Sequence, residues 1–166
     1  EAIDFVIFLF GAFEPGTIRA YGKVVRAGSV VLDIGANVGA HTLPLAQLVG
    51  SQGRVFGFEP TKYAYSKLQA NAALNPSLAT CISAEQILLS DVIAEHSVTE
   101  IASSWRLRPS ADAHVLHRGE GKTTAGARTT TLDAYVAETG IEHIDLIKMD
   151  VDGNELSVLR GAAKTL

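Results

Sequence analysis

The stretch Val30-Val31-Leu32-Asp33-Ile34-Gly35-Ala36-Asn37-Val38-Gly39 decides the fold. Its first five residues are apolar and mostly β-branched, Asp33 apart, which is the composition of a strand buried on both faces. Gly35 then lets the chain leave that strand sharply, because a residue without a Cβ reaches left-handed backbone angles without a clash. Beyond Gly39, the residues Leu43, Leu45, Ala46 and Val49 continue as a helix that ends near Gly50. Strand, glycine turn and helix in that order open a parallel β-α-β unit.

The same rhythm runs outward in both directions. Upstream, Glu14-Pro15-Gly16-Thr17 marks a helix start, Ile18, Tyr21, Val24 and Val25 share one helical face, and Ala27-Gly28-Ser29 stops it. Downstream, Arg54-Val55-Phe56-Gly57-Phe58-Glu59-Pro60 reads as a strand closed by proline, followed by a helix from Thr61 to about Leu74. Leu78 to Ser83 and Ile87 to Ser90 are weaker strands. Ile144 to Asp150 is a further strand, and Asn154 to Leu166 a helix with Leu156, Val158, Leu159 and Ala162 on its apolar side. Strands alternating with helices predict an α/β domain with a doubly wound, mostly parallel sheet.

The rhythm fails between Ile93 and Thr130. From Ser103 to Thr131, Trp105 is joined by Arg106, Arg108, Arg118, Lys122 and Arg128, against only Asp112 and Glu120. Two readings stand side by side: an insertion that shapes the acceptor site and is mobile without ligand, or a solvated surface excursion such as a β-hairpin. Residues 1–166 are otherwise read as one domain, with this locally basic insertion around 93–130.

Composition narrows the function. A 47% hydrophobic and 19% charged chain has apolar mass for a core, so global disorder is excluded. A net charge of −4 argues against a nucleic-acid coat or a polybasic membrane binder. The single cysteine, Cys81, rules out an intrachain disulfide and a cysteine-based zinc site, and nothing calls for a compartment other than the cytoplasm. The apolar run Phe5 to Phe10 is too short to cross a membrane and is flanked by Glu1 and Asp4, unlike a secretory leader. It is read as facing the core or a partner.

In open parallel sheets a ligand sits beyond the carboxyl ends of the strands. The turn from Gly35 to Gly39 has the spacing G-x-x-x-G rather than G-x-G-x-x-G, which counts against a dinucleotide. Glu59, at the end of the next strand, can accept both hydroxyls of a ribose.

These residues resemble a known family. Val31 to Gly39, Val55 to Pro60, and Ile147-Lys148-Met149-Asp150-Val151-Asp152-Gly153-Asn154-Glu155 look like three signature blocks of FkbM-type methyltransferases, which use S-adenosylmethionine on a Rossmann-like fold. Leu88-Leu89-Ser90-Asp91 and Thr131-Leu132-Asp133 are similar to two further blocks. Asp152 stands where the family usually has Glu, and Asn154 where it usually has a small residue. The resemblance implies that Asp33, Gly35, Ala36, Asn37 and Gly39 surround the methionine end of the cofactor, with Thr42 near its carboxylate. It also implies that Glu59 binds the ribose, that Ser90 and Asp91 lie by the adenine, and that Asp150 sits close to the sulfonium. It implies transfer to oxygen on a small-molecule or glycan acceptor, and a sheet continuing beyond Leu166.

A hydroxyl acceptor gains about 10²–10⁴-fold from a base that takes its proton. The candidates are His41, Asp150 and Asp152; His41 also reads as a surface or capping residue, and Asp150, the better placed, also as a group that orients the cofactor amine. Asp150, Asp152 and Glu155 could gather a divalent cation, but their pattern fits helix capping better, so no metal is expected. Gly121-Lys122-Thr123 lacks the glycine five residues earlier that a phosphate-binding loop needs, and His114 and His117 have no cysteine near them. The competing reading is a catalytically silent scaffold that keeps the fold and binds partners through its surface.

Overall fold

The structure is a computed structural model that describes residues 2–94, 100–105 and 119–166. Helices α1 (Ala2–Phe10) and α2 (Pro15–Val24) lead into β1 (Val30–Ile34). Helix α3 (Thr42–Val49) returns to β2 (Arg54–Phe58), and α4 (Lys62–Ala73) with α5 (Pro76–Ala79) returns to β3 (Ile82–Glu85) and β4 (Ile87–Leu89). Next come β5 (Glu100–Trp105), β6 (Gly119–Thr123), β7 (Arg128–Thr130), α6 (Leu132–Thr139), β8 (Leu146–Met149) and α7 (Glu155–Arg160).

Four strands form one parallel sheet in the order β3-β2-β1-β8. From β1 the chain winds outward through β2 to β3, while β8 adds on the opposite side of β1. The winding reverses between β1 and β8, and a crevice opens there at the carboxyl ends of the strands. Short β4 pairs with β7 in parallel, and β5 with β6 antiparallel.

Alternation along the strands sends side chains to two cores. Val31, Val55 and Leu146 join Tyr21, Val25, Leu45 and Val49 beneath α2 and α3. Leu32, Ile34, Phe58, Ile147 and Met149 join Ile87, Leu132, Tyr135 and Val158 beneath α6 and α7. Val31, Leu32 and Ile34 are each at most 2% exposed, so each contributes about 1.5–3 kcal/mol of burial. Two-sided burial is why β1 carries no polar alternation.

Several expectations shift. The strand expected from Leu78 starts at Ile82, because Pro76 sits in the first turn of a helix that takes in Leu78. The last helix is regular only to Arg160. At Gly161 an added Cβ would lie 2.0 Å from the Ser90 carbonyl oxygen, and the Asp133 carboxylate accepts the Lys164 and Thr165 N–H groups, which holds a non-helical end against β4. In α1, Ile3 and Val6 turn inward while Phe8 and Phe10 are exposed. Among the described residues no helix is long and apolar enough to cross a membrane. The interrupted region does contain an antiparallel strand pair, with Glu100 opposite Thr123. Arg106, Arg108, Asp112, His114, His117 and Arg118 lie outside the described residues.

Candidate functional site

The end of β1 and the end of β8 meet at Gly35. Its φ is +81°, and an added Cβ would lie 1.9 Å from the backbone oxygen of Asp150, so only glycine permits this approach. The N–H groups of Gly35 and Ala36 both donate to the Phe58 carbonyl, at 3.0 and 2.9 Å. Asn37 is left-handed, with φ 49°, and its N–H donates to Glu59 Oε2 at 3.0 Å. Glu59 Oε1 accepts the Thr61 N–H at 2.8 Å and the Thr61 hydroxyl. One carboxylate, 3% exposed, thus ties the loop after β1 to the loop after β2. Burial pushes the Glu59 carboxyl up, against the opposing pull of its hydrogen bonds.

Behind this turn lies a buried ion pair. Asp33 has no exposed surface; its Oδ2 accepts the Thr42 hydroxyl at 2.6 Å and its Oδ1 lies 3.2 Å from Lys148 Nζ. Lys148 is the register partner of Asp33 on β8, and its ammonium also donates to the Gly35 carbonyl at 3.2 Å. A buried carboxylate without such a partner costs several kcal/mol. Sequence reading passed over Lys148, although a lysine among Leu146, Ile147 and Met149 was the available signal.

A third group lies on the α2 side. His41 is 5% exposed, with its ring edge-on to Phe13 and Tyr21. Its Nδ1 is 3.1 Å from the Tyr21 hydroxyl and its Nε2 is 3.6 Å from Glu14 Oε2. It occupies the position before α3 but caps nothing, so neither the surface nor the capping reading describes it. Burial first, and the Lys148 ammonium second, lower its pKa, which keeps the ring neutral at pH 7. Burial, with the carboxylates of Asp33, Glu14 and Asp150, pushes the Tyr21 phenol up, so it keeps its proton.

These elements enclose a cavity of about 460 Å³. Gly35, Ala36, Asn37 and Glu59 line it from the loops after β1 and β2; Lys148, Asp150 and Asp152 line it from β8 and the turn that follows. Ile87, Leu88 and Leu89 form an apolar wall, and Ile3, Val6 and Ile101 add apolar surface from α1 and β5. His41 and Glu14 complete the lining. Sequence reading named Asp152 among the candidate bases but did not single out Glu14 or Ile101 for this site.

The remaining expected residues stand elsewhere. Asp33 and Thr42 lie behind the wall. Gly39 borders a second cleft, and a Cβ there would come within 2.8 Å of Leu43 and 2.9 Å of Leu68, so it serves the packing of α3 against α4. Ser90 and Asp91 face α7, where both bond to the Ser157 hydroxyl, at 3.1 and 2.9 Å. Among the described residues no cluster of His, Cys, Asp or Glu could hold a metal ion. Glu155 Oε1 accepts the Val151 and Gly153 N–H groups, each at 3.3 Å, at the start of α7.

The chain resembles several characterised proteins. It is 23% identical over 154 residues to the hexuronic acid methyltransferase AglP of Haloferax volcanii, an alignment that covers 92% of this chain and 58% of AglP. It is 29% identical over 179 residues to the 2-O-methyltransferase NoeI of Sinorhizobium fredii, covering 96% of this chain and 70% of NoeI. The chain therefore spans little more than half of AglP. The crystal structure of methyltransferase FkbM from Methylobacillus flagellatus shares its fold, with a TM-score of 0.51 at 17% identity over 89% of this chain and 36% of that one. The methyltransferase FkbM domain model matches residues 33–166, and together with a parallel sheet wound about β1 it shows that the chain belongs to the FkbM methyltransferase domain family.

Proposed function

We propose that the cavity binds S-adenosylmethionine, the cofactor expected of this family, and that the protein transfers its methyl group to a hydroxyl of a small molecule or glycan. The observation that carries this reading is Glu59, a buried carboxylate on the wall of a ligand-sized cavity at the switch point of the sheet.

The residues present fit the cofactor. Glu59 Oε2 accepts one protein hydrogen bond, which leaves a lone pair for a ribose hydroxyl. The buried Oδ1 of Asn37 has no hydrogen-bond partner among the described residues and suits a ligand donor. Glu14, Glu59, Asp150 and Asp152 give the lining a negative character that favours a sulfonium, while Lys148 is engaged with Asp33. Ile87, Leu88 and Leu89 offer an apolar surface to a base.

When bound, the cofactor supplies an electrophilic methyl group. The chain's own work is to hold the acceptor oxygen in line with that methyl, at about 3 Å, to exclude water with Ile3, Val6 and Ile101, and to receive the hydroxyl proton. Asp150, at the end of β8, orients the cofactor amine, and His41 belongs to the proton-handling side. The names of AglP and NoeI support a sugar hydroxyl as acceptor.

Calorimetry on the full-length protein tests the cofactor. Micromolar binding of S-adenosylmethionine and its demethylated product is expected, and a folded protein that binds neither refutes the reading. Transfer of labelled methyl to a panel of hydroxylated sugars tests the acceptor; transfer to amines alone refutes the oxygen assignment. We also place the protein in the cytoplasm, and its recovery from a membrane or secreted fraction would refute that placement.

A further inference from the structure

Glu14 has a backbone that glutamate avoids. Its φ of 48° and ψ of 61° are left-handed, and Pro15 follows, which restricts the preceding residue further. Such strain persists only where the surroundings hold it, and it collects at functional sites. Glu14 also stands at the N-cap of α2 without capping it. Its carboxylate instead accepts the Thr17 hydroxyl at 3.2 Å, lines the cavity, and faces His41 Nε2.

The tautomer of His41 follows from its neighbours. The Tyr21 hydroxyl keeps its proton and, among the described residues, has His41 Nδ1 as its bonding partner. The phenol therefore donates to Nδ1, and the proton of the neutral ring sits on Nε2. Buried Nε2 has no hydrogen bond among the described residues, and Glu14 Oε2 is the acceptor it faces, at 3.6 Å. With Nδ1 taken and Nε2 protonated, the neutral ring has no lone pair to offer an acceptor hydroxyl. Asp33 and Lys148 on the sheet and Asp150 beyond β8 are the other charged groups that bear on His41.

Resting on the methyltransferase reading, we propose that Glu14 receives the acceptor's proton, with His41 and Tyr21 as its positioning residues. As the acceptor oxygen bonds to the methyl carbon, the carbon–sulfur bond breaks and its electron pair stays on sulfur. The hydroxyl proton passes to the Glu14 carboxylate. Glu14 is about half exposed, with a side chain 49% accessible, so the proton then leaves to solvent. The carboxylate stands between the Thr17 hydroxyl at the start of α2 and the cavity, where it faces His41.

Nitrogen NMR of the histidine rings in the full-length protein tests the chain of contacts. His41 is expected as the Nε2–H tautomer at pH 7, a mixture in Tyr21→Phe, and with a lower protonation midpoint in Glu14→Gln. The Nδ1–H tautomer in the unaltered protein overturns the proposal. Glu14→Gly separates chemistry from structure: relieving the left-handed strain should raise or preserve Tm, whereas a purely structural Glu14 would lower it, and a lowered Tm also overturns the proposal. In single turnovers with the sugar panel, Glu14→Gln should transfer methyl at least about 100-fold more slowly. Its affinity for the demethylated cofactor should stay within about twofold. Unchanged rates refute the role of Glu14, whereas failure of the unaltered protein to bind that cofactor refutes the underlying methyltransferase reading instead.

Discussion

Replacing Glu59 by glutamine keeps its size and removes only the second acceptor oxygen, and the structure says what that should cost. The native carboxylate accepts from the Asn37 N–H, the Thr61 N–H and the Thr61 hydroxyl, and both of its oxygens are in use. However the new amide is turned, its NH2 group faces a backbone N–H. A buried donor is left without an acceptor, a loss of about 1–3 kcal/mol. For a chain of this length that lowers Tm by about 2–12 °C. The ribose meanwhile loses a charge-assisted acceptor worth about 1.5–3 kcal/mol, or about 10- to 100-fold in affinity. Urea denaturation gives the first quantity and calorimetric titration with the demethylated cofactor the second. Lower stability with affinity within twofold would confine Glu59 to tying the loops together. A variant as stable and as tight-binding as the native protein would refute both roles. The pH dependence supplies an internal check. Burial raises the Glu59 pKa above the unfolded value of 4.5, so the folded state holds this proton at a higher pH than the unfolded chain does. Its contribution to stability is complete below 4.5 and is lost as pH rises through the raised value. Ligand affinity needs the carboxylate and runs the other way, falling as the group protonates from above 4.5 downward; the glutamine variant should show neither trend.

Lys148→Met leaves the Asp33 carboxylate buried with only the Thr42 hydroxyl, so about 3–5 kcal/mol of stability should be lost in urea denaturation, and Lys148→Met with Asp33→Asn should recover part of it. A single variant within 1 kcal/mol of native would show that the pair is immaterial. Gly35→Ala combines a left-handed φ with a Cβ driven onto the Asp150 carbonyl; Tm should fall sharply and ligand binding be lost together, and a folded variant that binds normally would contradict the close approach of β1 and β8. The β5–β6 pair places Ile101 on the cavity wall and is held to α4 by the Lys122 ammonium, 4.9 Å from the Tyr63 ring centre, so bound ligand should slow hydrogen exchange at residues 100–105 and 119–123. Equal exchange with and without ligand would remove this pair from the site.

Local chemistry made much of this protein legible in its sequence. Val30 to Ile34 read as a doubly buried strand because a short, β-branched apolar run closed by glycine suits a strand better than a helix, and Gly35 read as a turn because only glycine reaches its φ cheaply. Glu59 could be placed at a strand end by its neighbour Pro60. Tertiary structure decided what depends on contacts distant in sequence. Lys148 acquires its role from pairing in register with Asp33, 115 positions away, and no local pattern announces that. Ser90 and Asp91, placed beside the adenine by resemblance, turn to Ser157 because α7 packs against the end of β4. His41 reads as a surface residue until α2 brings Tyr21 and Glu14 against it. Periodicity and punctuation fix elements, since they act within a few residues; which side chains share a cavity follows from how the elements pack.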